Sequence, residues 1–328
     1  MPREASGVLN RRQRLAATAS PRVSIGLPVW NGERYLEAAL DSLLAQSFGD
    51  FELIVSDNAS TDETPAICRA YAARDGRIRY SRLDRNIGGS PNHNRVLRLA
   101  VGEYFTWASH DDLRAPEHLA RCVTLLDREP GVVLCFSRVA EIDEFGAPLP
   151  TPSCRELLAE VGAHDPWTRW RDLVRAGWVY DPIYGVIRRD VLRRTGLLGP
   201  YAGSDRVTLG ELALYGRFHC VDEPLFFRRI HPAQSSRLFP SSRARVAWNF
   251  PERVEPIVLP VLRLSLEWSL ALIRAPLPWS LRARCARVVA RWSLGHRRVV
   301  VDELDTAARA VAKRAFRRWS SRRPVPAA

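Results

Sequence analysis

The sequence predicts an α/β fold, a mostly parallel sheet flanked by helices, followed by a basic helical extension. Three observations carry this. From Pro21 onward, short β-rich runs alternate with stretches whose apolar residues recur at helical spacing. After about residue 145 the alternation fades, and from Ser241 the chain reads as helix alone. The charge divides at the same point. Of the formal net +13, residues 241–328 hold 18 Arg and Lys against 6 Asp and Glu, while residues 1–240 hold 31 against 30. The basic field therefore belongs to the extension, and no nucleic-acid-reading motif accompanies it.

Residues 1–20 are polar, lack periodicity and are expected to be a disordered lead. Strands are predicted at 23–28 (VSIGLP), 51–56 (FELIVS), 78–81 (IRYS), 104–109 (YFTWAS) and 132–137 (VVLCFS). Helices are predicted between them at 33–45, 65–74, 91–100 and 116–129. In the last, Leu119, Cys122, Val123 and Leu126 form one apolar stripe, Pro116 suits the first helical position, and Pro130-Gly131 ends the helix. Residues 146–163 are Pro-rich and loop-like; 165–176, 189–195 and 204–216 read as helix, and 223–231 as extended. These divide the α/β domain, 21–240, into a first half to about 145 and a second half from 146. Beyond Ser241 the helical pattern is broken by Pro256, Pro260, Pro276 and Pro278.

Six cysteines are scattered with no CxxC pair, the pattern of buried thiols in a reducing compartment. Arg11, Arg12 and Arg14 are not followed by the apolar stretch of a signal peptide. No run reaches the roughly 18–20 uncharged apolar residues that span a bilayer. A cytoplasmic location is expected.

Ligands in an open α/β sheet gather outside the carboxyl ends of the strands. The first such loop, GLPVWNG, lacks the GxGxxG of a dinucleotide fold, and Gly88-Gly89 follows the third strand instead. That argues against a nicotinamide oxidoreductase. After the second strand comes SDNASTD, in which Ser60 and Glu63 suit a capping box and Asp62 or Thr64 a helix cap. Asp57 suits either a cap or acceptance of a nucleobase N–H. After the fourth strand, Asp111 and Asp112 are consecutive, and adjacent carboxylates need a cation or hydrogen bonds to compensate their repulsion. A solvated turn capping the next helix is the competing reading. Asp205 opens a helix, where an acid also complements the dipole. Strand alternation puts Arg229 and His231 on one face, suited to phosphate or metal, or equally to a surface ion pair.

The order of these features adds what each lacks singly. The run VSIGLPVWNGERYLEAALDSLLAQSFGDFELIVSDNASTDET resembles the opening of family-2 glycosyltransferases. The likeness continues through NIGGSPNHNR, GEYFTWASHDD, GSDRVTLGELALYG and FFRRIHPAQSS, over about residues 21–237. The resemblance implies a GT-A fold and an inverting hexosyltransferase that uses a nucleoside-diphosphate sugar and a divalent metal, Mn²⁺ or Mg²⁺. It implies that Pro28 and Asn31 shape the pocket rim, that Asp57 holds the nucleobase, and that Asn86, Gly88 and Asn92 lie along the nucleotide. Asp111 would face ribose or sugar, Asp112 would hold the metal, and Asp205 would be the catalytic base. Arg229 and His231 match the diphosphate- and metal-side residues. The sequence departs from the family pattern twice: His110 stands where many relatives have an acid, and Ser204-Asp205 replaces the commoner Glu-Asp pair. The implied acceptor is a glycan or lipid-linked glycan, as in cell-surface polysaccharide synthesis.

A nucleotidyltransferase would also use nucleotide, metal and paired acids, and a non-catalytic nucleotide-sugar-binding protein could keep the same fold. Trp167, Trp170, Trp178 and Tyr180 in the second half are candidates for sugar stacking, against the plainer reading as core. In the extension, residues 261–275 have one apolar face, and an Arg-rich stretch runs from Arg282 to Arg323. Residues 261–275 are expected to pack on a core or lie in an interface, and the Arg-rich stretch to pack on the catalytic domain, to form a solvated basic tail, or to meet an anionic membrane surface at the inner face.

Overall fold

A computed structural model of the chain describes residues 20–150, 162–175, 181–238, 241–249 and 259–320. The predicted lead, Cys154, Trp178, Tyr180, Pro256 and Arg323 fall outside these residues, except that Ser20 is included.

Continuous apolar runs make strands only where both sheet faces are covered. β1 (Val23–Val29) and β2 (Phe51–Asp57) are buried at every position. Between them lies α1 (Glu33–Leu44), and α2 (Thr64–Arg74), β3 (Ile78–Arg82), α3 (Gly89–Leu99) and β4 (Tyr104–Trp107) continue the alternation. Then come β5 (Leu113–Arg114), α4 (His118–Arg128), β6 (Val132–Ile142) and β7 (Pro148–Leu149). The second half contains α5 (Pro166–Arg175), a 3₁₀ turn (Asp181–Tyr184), β8 (Val186–Arg188), α6 (Arg189–Leu192), α7 (Ser204–Tyr215) and β9 (Arg217–Arg229). The helices α8 (Ser235–Leu238), α9 (Ser242–Asn249), α10 (Pro260–Arg274), α11 (Trp279–Gly295) and α12 (Arg297–Ser320) complete the chain. Pro260, read from sequence as a break, instead occupies the first turn of α10, where its missing N–H costs nothing.

The sheet order is β3-β2-β1-β4-β8-β6-β9-β5, with β7 on the edge of β6. β1 to β4 are mutually parallel, so the chain steps outward to β3 and returns to the other side of β1 at β4. This reversal opens a crevice at the carboxyl ends of β1 and β4. The far half is mixed, not parallel. β8 is antiparallel to both β4 and β6, β9 is parallel to β6 through three irregularities, and β5 is antiparallel to β9. The expected extended segment 223–231 is the second half of the long β9.

One core lies between the sheet and α1, α2 and α4, through Leu36, Leu40, Cys68, Leu119 and Leu126. The other face packs Val96, Phe105, Trp107, Leu134, Leu209 and Leu212. At Gly26 a Cβ would lie 2.6 Å from Val96 Cγ2, so the glycine lets α3 approach β1 closely. A third core joins Trp170 and Val207 to Leu264, Trp268, Ala271 and Cys285 of α10 and α11. The apolar face of α10 is thus packed on the domain, the first of the two arrangements expected for it. Trp170 is fully buried there with its Nε1–H on the Cys285 carbonyl at 3.2 Å, which removes it from sugar stacking. No helix among the described residues is long and apolar enough to cross a membrane.

One ion pair fastens α10 to α7. Arg274 meets the carboxylate of Glu211 through Nε and Nη2, both at 2.8 Å, and the Gly196 N–H donates to Glu211 Oε2 at 2.9 Å. Glu211 is completely buried. Arg274 itself reaches solvent, so removing it strands the charge of the buried Glu211. Arg274→Ala should therefore destabilise the fold by about 1–3 kcal/mol in denaturant unfolding, and a Glu211→Leu/Arg274→Met double variant should recover most of that loss. An Arg274→Ala variant as stable as wild type would show that the pair is dispensable.

Candidate active site

The crevice between β1 and β4 is a cleft of about 660 Å³, within the usual range for small-molecule sites. Its floor comes from the loops after β1 and β4, including Pro28, Asn31, Asp111 and Asp112. One wall carries Asn58, Asn86, Ser90 and Asn92; another carries Tyr201, Gly203, Ser204 and Asp205.

The polar loops after β1 and β2 are stitched together. Asn31, at φ +49, accepts the Thr61 N–H on its side chain at 2.9 Å, and its own N–H donates to Ser60 Oγ at 2.9 Å. Asp62 accepts the N–H groups of Glu33 and Thr64, both at 3.1 Å, which makes it a cap as expected. Ser60 serves Asn31 in place of the predicted capping box with Glu63. Across the wall, Asn58 Nδ2 donates to Asn86 Oδ1 at 2.9 Å, and Asn92 is tied to Ser56 by bonds of 2.6 and 2.8 Å. Gly88, at φ +91, starts α3 and gives its carbonyl to Asn58 at 3.2 Å. These amides shape the wall by holding one another.

The acidic pair is held by the end of β9. Asp112 Oδ1 accepts the Arg229 N–H at 2.9 Å, and Arg229 Nε–H donates to the Asp111 carbonyl at 2.9 Å. His231 Nε2 lies 3.0 Å from Asp111 Oδ2, and Ser109 donates to the other oxygen of Asp111. Burial works against charge on Asp111, but His110, His231 and Ser109 outweigh it and hold its carboxyl well below the usual range. Asp112 goes the other way: burial and the charge of Asp111 push it well above the usual carboxylate value. The Arg229 guanidinium turns away to the carbonyls of Asp143 and Glu144, at 3.2 and 3.1 Å, and packs over Tyr35. His231, 4.6 Å from the same ring, is buried with Nδ1 unpartnered.

Among the described residues no group of three or more His, Cys, Asp or Glu is arranged to enclose a metal. A divalent cation here would rest on one or two carboxylates and draw the remaining ligands from a bound diphosphate and water, the usual manner of hard cations with phosphate substrates. Asp112 fits that demand, because a positive charge beside it relieves the repulsion from Asp111. His231 is engaged with Asp111 and not with Asp112.

Asp205 stands in the first turn of α7, after Gly203 at φ +84, and its Oδ1 accepts the Arg206 N–H at 2.9 Å. Burial raises its carboxyl above the usual value, opposed by that N–H and by the charges of Arg206 and Arg245. The Tyr184 phenol feels Asp112, Asp111, Asp205 and Asp181 together, so four carboxylates converge on one ring. The phenol is pushed far up by burial first and by those charges second. Asp181 is also raised by burial, with Arg228 at 2.8 Å opposing it.

The cleft thus brings together Pro28, Asn31, Asn86, Asn92, Asp111, Asp112, Asp205 and His231. Asp57, Gly88 and Arg229 lie behind its surface. Asp57 is fully buried, with Oδ1 on the Ser60 N–H at 2.8 Å and Oδ2 accepting from Tyr80 at 2.9 Å. Asp181, Tyr184, Arg228 and, from α9, Arg245, Trp248 and Asn249 line the cleft without having been marked by sequence. The HDD segment leads into β5, not directly into a helix, because Leu113 and Arg114 pair with Phe227 and Phe226.

The model of the family described as glycosyl transferase family 2 matches residues 24–190. An uncharacterized glycosyltransferase of Rickettsia typhi is 37% identical over 121 residues, covering 36% of this chain and 37% of that one. Another, of Methanocaldococcus jannaschii, is 30% identical over 128 residues, covering 38% and 44%. The matched region spans well under half the length of either relative. The structure of S. aureus TarS 1–349 in complex with UDP-GlcNAc is similar with a TM-score of 0.61 at 18% identity, covering 88% of this chain and 81% of that one. The mannosyltransferase PcManGT of Pyrobaculum calidifontis, in complex with GDP-Man and Mn²⁺, gives 0.50 at 18%, covering 93% and 84%. At such identities the likeness is one of fold, and the fold is of the GT-A type.

The raised Asp112 has a measurable signature. A carboxyl whose folded-state pKa lies above its unfolded value costs nothing at acid pH and destabilises increasingly as pH rises through the folded pKa. Without added cations, Asp112→Asn, which can keep the Arg229 hydrogen bond, should melt above wild type at neutral pH. The gap should close as pH falls into the carboxylate range. A lower melting temperature at pH 7 would contradict this account.

Proposed function

The chain belongs to glycosyl transferase family 2, and on that premise we propose that it moves a sugar from a nucleoside-diphosphate sugar to an acceptor hydroxyl. The transfer is a single displacement that inverts C1. The observation that carries this reading is the lining of one cleft by two unlike carboxylates. Asp112 sits on the floor under the tether of β9, and Asp205 sits on the wall at the start of α7.

Each has its own task. Asp205 takes the proton of the attacking hydroxyl; the upward pull of burial makes it a stronger base than a solvated aspartate. Asp112 would hold a divalent cation, Mn²⁺ or Mg²⁺, against the donor diphosphate, and that ion supplies Lewis-acid stabilisation of the leaving group. Arg229 keeps Asp112 in place through its N–H, and Asp111 with His231 completes the floor. One displacement calls for no covalent sugar–enzyme intermediate. The wall of Asn58, Asn86 and Asn92 is assigned to the nucleotide, with Asp57 bracing it from behind. The wall of Tyr201 to Asp205 is assigned to the acceptor, a glycan or lipid-linked glycan, and the reaction to the cytoplasm.

Two experiments test this. Asp205→Asn is nearly isosteric, so donor binding should persist while turnover falls by about 10²–10⁴-fold. Collapse of donor affinity with transfer preserved at saturating donor would make Asp205 a binding residue instead. A thermal-shift screen of UDP-, dTDP- and GDP-sugars should find one donor class that stabilises the protein more with Mn²⁺ than with EDTA. At a hundredfold excess over Kd the gain is about 2.7 kcal/mol. Full transfer in EDTA would remove the cation from the mechanism.

A further inference from the structure

The packing of α10 removes the obvious amphipathic face from the surface and reveals another. Leu264, Trp268, Ala271 and Leu272 of α10 are buried in the third core. The next helix, α11, buries Cys285, Val288 and Val289 in that core. On its opposite side, Trp279, Ala283, Ala286, Ala290 and Leu294 fall within an arc of about 80° at 100° per residue. The stripe is about 22 Å long, at 1.5 Å per residue.

Its ends are large and open to solvent: Trp279 is 81% exposed and Leu294 64%. Ile273, 66% exposed, precedes it, and Val301, 62% exposed, lies beyond it. Arginines flank it. Arg284, Arg287 and Arg291 run along one side, all exposed, and Arg282 lies on the other with its guanidinium 4.9 Å from the Trp279 ring centroid. Arg297 and Arg298 come next in the chain. From residue 275 to 301 there are six arginines and no Asp or Glu.

We propose that α11 is a membrane-docking helix that lies in the interface of an anionic bilayer, with Trp279 and Leu294 as its apolar anchors. A narrow apolar strip bordered by cations, with an aromatic at its end, sinks into the headgroup boundary while the guanidinium groups reach the lipid phosphates. Another copy of the same face would bring four arginines against four and repel. Nucleic acid would satisfy the charge but gives no reason for solvent-exposed Trp279 and Leu294 beside it. The docking is independent of the transfer reaction and stands or falls separately from it.

Flotation of the full-length protein decides the matter. With vesicles of phosphatidylcholine containing phosphatidylglycerol, the bound fraction at low salt should exceed that on pure phosphatidylcholine by about tenfold, and high salt should release it. Trp279→Ser/Leu294→Ser and Arg287→Gln/Arg291→Gln should each reduce binding by about tenfold. Both variants should keep the wild-type melting temperature, since none of these four side chains is buried in the core. Equal recovery on the two vesicle types overturns the proposal, as does absence of flotation. So does loss in the arginine variant with the serine variant unchanged, especially where duplex DNA competes, because that marks a purely electrostatic surface.

Discussion

Two carboxylates on consecutive residues of a half-buried loop cannot both hold charge unless something compensates them, and the second half of this fold is arranged around that need. β9 is long, and its irregular pairing with β6 carries its last residues back across the carboxyl end of β4. There Arg229 and His231 reach Asp112 and Asp111. The chain leaves Asp112 directly into β5, which pairs with β9 as the outermost strand of the sheet. The same short pairing therefore closes the sheet and aims the acids. The compensation is uneven: Asp111 receives a histidine contact and a hydroxyl, while Asp112 receives one N–H. The deficit on Asp112 is what a cation can fill.

The first half of the fold is legible in the sequence because it obeys simple periods. Strands β1 to β4 are apolar runs with turn residues at their ends, and all four helices predicted in this half start and end within about two residues of the observed ones. The site loops stand out because each is the polar segment at a strand's carboxyl end, and Asp62 caps as its position predicts. The second half resists for physical reasons. β8 has three residues, too few to show alternation, and β9 loses its alternation at the irregularities opposite Ser137 and Arg138. Asp181 and Tyr184 sit in a single 3₁₀ turn, which has no periodic signature. In sequence Asp57 resembles a free acid at a strand end. Its partners Tyr80 and Arg82 come from β3, in register beside it, and only strand pairing reveals them.

The boundary drawn at residue 240 marks a change in composition more than a change in structure. α7 is buried over Val207 to Leu214, so it needs cover on both sides. Leu209, Leu212 and Ala213 face the sheet core, while Val207 and Leu214 face α10 and α11. The helix that presents Asp205 thus owes one side of its packing to the basic extension, and the Glu211–Arg274 pair reinforces it. Arg284, Arg287 and Arg291 are left to the outer surface of a helix whose inner surface belongs to the domain. Composition reports the first and packing the second.

α9 adds a temporal consequence. Ser90 Oγ donates to Asn249 Oδ1 at 3.1 Å, across 159 residues of chain, and Gly89 lies directly beneath Trp248. The wall that contains Ser90 and the helix packed against it are therefore made far apart in synthesis. A ribosome that has delivered β1 to β4 has released the parallel half of the sheet but only part of the cleft. His231 and Arg245 emerge later, and the helices that pack behind Asp205 later still. Such long-separation contacts form last because the loop closing them carries the largest entropy cost. The cleft and its backing are accordingly incomplete until α11 has been made.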